Sequence, residues 1–234
     1  MPMILRLDVD KPFGNGNLFR RIISKLREDY YFPPIKGLGY IEQAIGFAEI
    51  LNQRGIAAIF YFRNCTAPDS DTAAIFKQLG HLIGFHAEDT RTFESFEGEL
   101  NVFKKKTGCD KIHSFSKHGS GELKLGRHHY APYEEEKYLD WSKKVNVPFI
   151  FGNGVMDNFD VPKDNFYPKM FWVETGYRDL KTMSIEKCIA NAKNAVIPIL
   201  THPENYFSIK QTREDFDLLA IIAAREGVEW FVPN

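Results

Sequence analysis

Ile4-Leu5-Arg6-Leu7-Asp8-Val9-Asp10, near the start of the chain, decides how the rest of the sequence is read. Leu5, Leu7 and Val9 fall on one face and Arg6, Asp8 and Asp10 on the other, the alternation of a β-strand. The apolar face suits a covering layer of helices, which turns the charged face inward, toward the mouth of a barrel. Two carboxylates in such a place need a cation, a metal or shared protons. Two readings stand at this point. Either Arg6 pairs with Asp8 while Asp10 caps a turn, or the acids belong to a reaction centre.

Working outward, short runs rich in Ile, Val and Phe recur along the chain. They predict strands over residues 4–9, 56–62, 82–86, 112–116, 147–151, 170–174, 196–201 and 228–232, as expected of strands buried on both faces. Helical periodicity lies between them, over 17–27, 40–54, 95–106, 132–145, 184–194 and 212–226. The first helix gathers Leu18, Ile22 and Leu26 on one stripe with Asn17 as cap, and Gly55 ends the second. Thr212-Arg-Glu-Asp215 resembles a capping box opening the last helix. Residues 118–131 and 152–169 read as long loops. Alternating strands and helices imply a parallel sheet with right-handed crossovers. Seven or eight such units predict an α/β fold, a deformed parallel (β/α)7–8 barrel forming one domain over residues 1–234.

The 234 residues suffice for one large core, and 20 Phe with 10 Tyr exclude a disordered chain. Thirty basic residues against 31 acids, a net charge of −1, argue against a nucleic-acid partner and against a polybasic membrane-surface protein. No apolar run is long enough to span a bilayer, and the N-terminus lacks the pattern of a signal peptide. Cys65, Cys109 and Cys188 are widely spaced and read as reduced thiols. A cytoplasmic location is expected.

In a parallel barrel the chemistry belongs at the C-terminal ends of the strands. Asp8 and Asp10 end the first. The third puts Gly84, His86 and Glu88 on one face, and the fourth Ser114, Ser116 and His118. Gly119-Ser-Gly121 follows as an ordinary turn or an anion cradle. The sixth strand ends in Glu174, and the seventh aligns Pro198, Leu200 and His202. Arg127-His128-His129-Tyr130 reads as a surface or substrate-contacting loop, because adjacent side chains of an extended chain point apart.

The ordered set of Asp8-Val9-Asp10, a strand-end His86 and Leu200-Thr201-His202-Pro203 resembles the polysaccharide deacetylase (NodB-homology) superfamily, of which this chain would be a divergent member. The resemblance covers most of the chain. It implies a (β/α)7-type barrel and a divalent-metal hydrolase that removes acetyl groups from sugars. By this likeness Asp8 is the base and Asp10 a metal ligand, two roles that the Asp-x-Asp spacing leaves exchangeable, while His86 is a further ligand and His202 protonates the leaving group. The family's second histidine, four residues after the first, is here Thr90, and its Arg-Pro-Pro-Tyr strand end is absent. His118 is the first candidate to replace the lost ligand, which keeps zinc the expected metal. Glu88 or Asp89 in that role would favour manganese or magnesium.

The reading is therefore a metal-assisted hydrolase acting on an acylated amino sugar or sugar precursor of a surface-polysaccharide pathway. Lys117 and Arg127 are expected to hold an anionic part of a small-molecule or oligosaccharide substrate, with Glu88 and Glu174 also in the substrate site. Two alternatives remain. One is a metal-free glycosidase using two of Asp8, Asp10, Glu88 and Glu174. The other is a non-catalytic carbohydrate-binding barrel in which Trp141, Trp172 and Tyr206 stack on sugar rings.

Overall fold

In the computed structural model seven parallel strands pair in chain order and close on themselves: β1 (Met3–Val9), β2 (Ala58–Phe62), β3 (Leu82–Ala87), β4 (Ser114–Lys117), β5 (Phe149–Val155), β6 (Phe166–Trp172) and β7 (Ile197–Thr201). The structure describes residues 2–11, 17–32, 35, 37–119, 121–157, 165–174 and 182–233. Pairs from Met3↔Ile197 to Leu7↔Thr201 seal β7 against β1. Eight helices are described: α1 (Leu18–Tyr30), α2 (Tyr40–Gln53), α3 (Ser70–Gln78), α4 (Phe93–Thr107), α5 (Glu135–Val145), α6 (Ile185–Ala192), α7 (Pro203–Ser208) and α8 (Lys210–Arg225). None is long and apolar enough to cross a membrane.

Side-chain alternation sorts the core into two layers. Leu5, Leu7, Phe60, Phe62, Phe85, Ala87 and Phe115 face outward and pack under the helices. Ile4, Ile59, Tyr61, Phe151, Met170, Trp172 and Leu200 fill the barrel interior. Gly84 opens space in that interior. A Cβ there would lie 2.5 Å from the Tyr61 ring, which lies under the Arg6 guanidinium at 5.1 Å.

Several expectations change. Residues 228–232 form no strand: Trp230 makes a single bridge to Met3, on the edge of β1 that β2 takes over from Leu5 onward. The helix α3 had no predicted counterpart, since only Ala73 and Phe76 are buried on it, too few to give a periodic signal. The last helix begins at Lys210 and not at a Thr212 cap; Thr212 is buried within it. Pro203 opens the short α7 directly after β7, in the first helical position where its missing N–H costs nothing. Part of the predicted 152–169 loop is strand. Gly152 and Gly154 let β5 and β6 approach closely, as a Cβ on Gly152 would stand 2.4 Å from the Pro168 carbonyl oxygen. The pairing register shifts between Phe151 and Gly154. The three cysteines are free, with Cys65 and Cys188 buried.

The helix α1 departs most from expectation. Its apolar stripe of Leu18, Ile22 and Leu26 is exposed, while Ser24 and Arg27 are buried against the body of the protein.

Candidate functional site

The C-terminal ends of β1, β3, β4 and β7 deliver Asp8, Asp10, His86, His118 and His202 to one cavity of about 410 Å³, whose wall also includes Asn153 and Trp172. A larger hollow of about 740 Å³ lies between the end of α2 and α8. Its charged groups include the Arg54–Asp217 ion pair and its wall contains no histidine, so the chemistry belongs to the smaller cavity.

Asp10 is the centre of the cluster. Its Oδ1 stands 3.2 Å from His86 Nε2 and 3.3 Å from His118 Nδ1, and those two nitrogens are 3.2 Å apart. Its Oδ2 is 3.5 Å from His202 Nε2. Oδ1 is buried and no hydrogen bond reaches it, which ordinarily marks a group waiting for a partner. Burial opposes ionisation of Asp10, but the charge and contacts of His118, His202 and His86 outweigh it and hold the carboxyl well below its ordinary pKa. Burial pushes the His118 imidazole down, toward the neutral form that ligates metals, with Asp10 opposing.

The surroundings fix these groups. Ser116 Oγ lies 2.7 Å from His86 Nδ1, which directs Nε2 at Asp10. Arg63 donates from Nη1 to the Asp10 carbonyl oxygen, and from Nη2 to Glu88 (2.5 Å) and Glu28 (2.7 Å). Thr66 Oγ1 donates to the Val9 carbonyl oxygen at 2.6 Å, so residues after β2 hold the end of β1. Glu99 of α4 accepts from the backbone N–H groups of Glu88 and Asp89 at 2.9 and 3.0 Å, fixing the turn after β3.

Asp8 is clamped. Arg6 Nε and Nη2 donate to its two carboxylate oxygens at 2.6 and 2.5 Å. The remaining donors of Arg6 reach the Gly152 carbonyl oxygen at 2.7 Å and Asn153 Oδ1 at 2.9 Å. Asn153 Nδ2 then donates to the carbonyl oxygens of Lys117 and Gly119, on either side of His118. Asp8, Arg6, Asn153 and the His118 backbone thus form one connected network. Of the first-strand expectations, Arg6 does pair with Asp8, while Asp10 caps no turn and meets three imidazoles.

On the far side, His202 Nδ1–H donates to Glu174, whose oxygens lie 2.9 and 3.0 Å away. Glu174 is fully buried and also accepts from the His202 N–H and the Thr201 hydroxyl. Burial works against the imidazolium, yet Glu174 and Asp10 lift the His202 pKa well above its ordinary value.

Other expected site residues stand behind the cavity wall. Lys117 is buried and donates to the carbonyl oxygens of His118 and Ala131; the alternation that turns His118 inward turns Lys117 outward. Arg127 is exposed, its guanidinium 5.5 Å over the Tyr30 ring. Glu88 belongs to Arg63 and Glu174 to His202, so neither lines the cavity. Asp89 pairs with Arg91 and Thr90 lies near Tyr138, so neither stands in for the missing histidine. Of the three aromatics weighed for sugar stacking, only Trp172 borders the cavity; Trp141 and Tyr206 are in the outer core. Gly119 takes positive φ beneath His129, while Ser120 lies outside the described residues.

Arg63, Asn153, Ser116 and Glu99 escaped assignment from the sequence. Ser116 shares the inward parity of His118, which was a usable signal. The others act through partners on distant strands and carry no local pattern.

No protein-family model and no curated protein matches the chain. Among solved structures it is similar to the catalytic domain of a peptidoglycan N-acetylglucosamine deacetylase from Eubacterium rectale, at 12% identity and a TM-score of 0.49, covering 99% of this chain and 88% of that one. It is also similar to a CE4 esterase from Streptococcus mutans (12%, TM-score 0.48, covering 98% and 84%). A third is a family 4 acetyl xylan esterase from Clostridium thermocellum, in complex with a cobalt ion (16%, TM-score 0.45, covering 99% and 87%). At such distance the chemistry has to be argued from this chain's own residues.

Proposed function

We propose that this chain is a metal-assisted deacylase that removes an acetyl or similar acyl group from an amino sugar or sugar precursor, in the building of a surface polysaccharide. The observation that carries the reading is the triangle of Asp10 Oδ1, His86 Nε2 and His118 Nδ1, with edges of 3.2–3.3 Å around a buried oxygen that no hydrogen bond satisfies. Donors held at about 2.0–2.1 Å from one divalent ion stand about 2.8–3.4 Å apart across octahedral to tetrahedral angles. One carboxylate and two imidazoles therefore fit a divalent ion such as zinc, and His118 supplies what Thr90 does not. When bound, such an ion acidifies a water molecule and polarises the acyl carbonyl.

The protein's own groups divide the remaining work. Asp8 is positioned to take the proton of the attacking water, since Oδ2 lies 3.6 Å from His86 Nε2, at the edge of the ligand set. The bidentate hold of Arg6 fixes its orientation. His202 Nε2 carries a proton toward the cavity, and Glu174 behind it stabilises that charged form until the proton passes to the departing nitrogen or oxygen. Asn153 and Trp172 border the space left for the sugar.

The test is acetate release from a panel of N-acetylated amino sugars and their oligomers. Wild-type protein should turn over at least one substrate, and Asp8→Asn should abolish turnover while remaining folded. Full activity in the presence of a strong chelator would overturn the metal assignment, as a carboxylate glycosidase requires.

A further inference from the structure

The helix α1 presents its polar side to the protein and its apolar side outward. Ser24 and Arg27 are buried, Arg27 Nε donating to the Cys65 carbonyl oxygen at 2.6 Å. Glu28 is half-buried and paired with Arg63. Leu18 and Phe19, by contrast, are 72% and 69% exposed, and Ile22, Leu26 and Tyr30 are exposed beside them. Amphipathic helices of globular proteins ordinarily do the reverse, and a contiguous apolar patch of this kind marks a contact surface.

The C-terminal end of α1 meets a loop that lines the cavity. The backbone of α1 meets the loop after β4, where His128 Nε2 lies 3.0 Å from the Asp29 carbonyl oxygen and Gly126 abuts Glu28. Leu123 and Leu125 of that loop are exposed and line the cavity itself. The exposed charged residues of α1 are Arg20, Arg21 and Lys25, of which Lys25 is paired with Glu28 and Asp29 and the two arginines form the positive edge.

We propose that this face docks on an anionic lipid surface, with the α1 stripe entering the headgroup region and Arg20 and Arg21 meeting lipid phosphates. Thirteen residues make a helix about 20 Å long, enough to lie in the interface with cations flanking its apolar side. The near-zero charge of the whole chain conceals this local excess. A second copy of the chain is a poorer occupant, because the acids of α1, Glu28 and Asp29, are already paired with Arg63 and Lys25 and so do not receive Arg20 and Arg21. The proposal concerns binding alone and stands apart from the deacylase reading.

The experiment is sedimentation of the purified chain with vesicles of phosphatidylglycerol and phosphatidylethanolamine in equal parts, beside pure phosphatidylcholine. The chain should pellet with the anionic vesicles and less with the neutral ones. Ile22→Asp should weaken that partition by roughly tenfold or more, and Arg20→Glu with Arg21→Glu should remove its salt sensitivity. All three positions are exposed, so unchanged thermal unfolding confirms that the variants are folded. Phe19→Trp, which keeps the apolar contact, should show a blue-shifted emission with anionic vesicles. Protein that stays in the supernatant, or an Ile22→Asp variant that binds equally well, overturns the proposal. So does a dimer in light scattering that Ile22→Asp dissociates while vesicles have no effect, which would assign the stripe to a second copy.

Discussion

Replacing Arg6 by Met tests the network that holds Asp8. The guanidinium is fully buried, grips both oxygens of Asp8, and satisfies Gly152 O and Asn153 Oδ1. Met fills similar volume but leaves a buried carboxylate without its cation and two acceptors without a donor. Breaking a buried pair from one side costs about 3–5 kcal/mol, a large share of the 5–15 kcal/mol typical of a domain. Asp8→Asn is milder, about 2 kcal/mol, because Arg6 keeps its contacts to Gly152 and Asn153 and gains a neutral acceptor. Arg6→Met with Asp8→Asn removes both charges together. Urea unfolding of the four proteins should show the double variant 1–3 kcal/mol more stable than the summed single losses. Strict additivity, or a loss under about 1 kcal/mol for Arg6→Met, would refute the claim that this pair organises the barrel interior.

Three further outcomes follow from particular contacts. Gly84→Ala should lower stability by about 1–3 kcal/mol in thermal unfolding, since the new methyl meets the buried Tyr61 ring; an unchanged Tm would contradict that packing. Burial, reinforced by nearby Glu88, pushes the Glu99 carboxyl up to about 7. A raised acid pKa means the folded state holds the proton more tightly, so the contribution of Glu99 to stability is greatest below about pH 4.5 and is lost, by up to about 3 kcal/mol, as pH rises through 7. Glu99→Gln should flatten that part of the stability–pH profile, and an identical slope in the variant would exclude Glu99 as its source. Glu174→Gln should lower kcat by roughly 100-fold with KM little changed, because His202 loses the carboxylate that keeps it charged; an unaltered kcat would remove the pair from the chemistry.

Much of the site was legible because strand parity is a local property. Counting by twos along β1, β3, β4 and β7 places Asp8, Asp10, His86, His118 and His202 inward, and the structure gathers all five at one cavity. The same counting places Lys117 outward, so its expected substrate role conflicted with the pattern that selected its neighbour. Glu88 has inward parity but lies beyond the end of β3, where Arg63 captures it. What parity does not reveal is which distant strand supplies a partner. Arg6 and Asn153 are 147 residues apart, and nothing local to either announces the contact. Helical periodicity has a similar blind spot. It identifies the Leu18, Ile22 and Leu26 stripe but not the direction that stripe faces, which the buried polar contacts of Ser24, Arg27 and Glu28 decide.

The central claim is that Asp10, His86 and His118 bind one divalent ion, with His118 in place of the histidine absent at Thr90. Calorimetric titration of chelator-stripped protein with zinc, confirmed by elemental analysis, tests it directly. The account predicts one ion per chain in the wild type and in Thr90→Ala, and its loss in Asp10→Asn and His118→Ala with folding retained. Wild-type protein that takes up no ion, or a His118→Ala variant that binds zinc as tightly as the wild type, would contradict it.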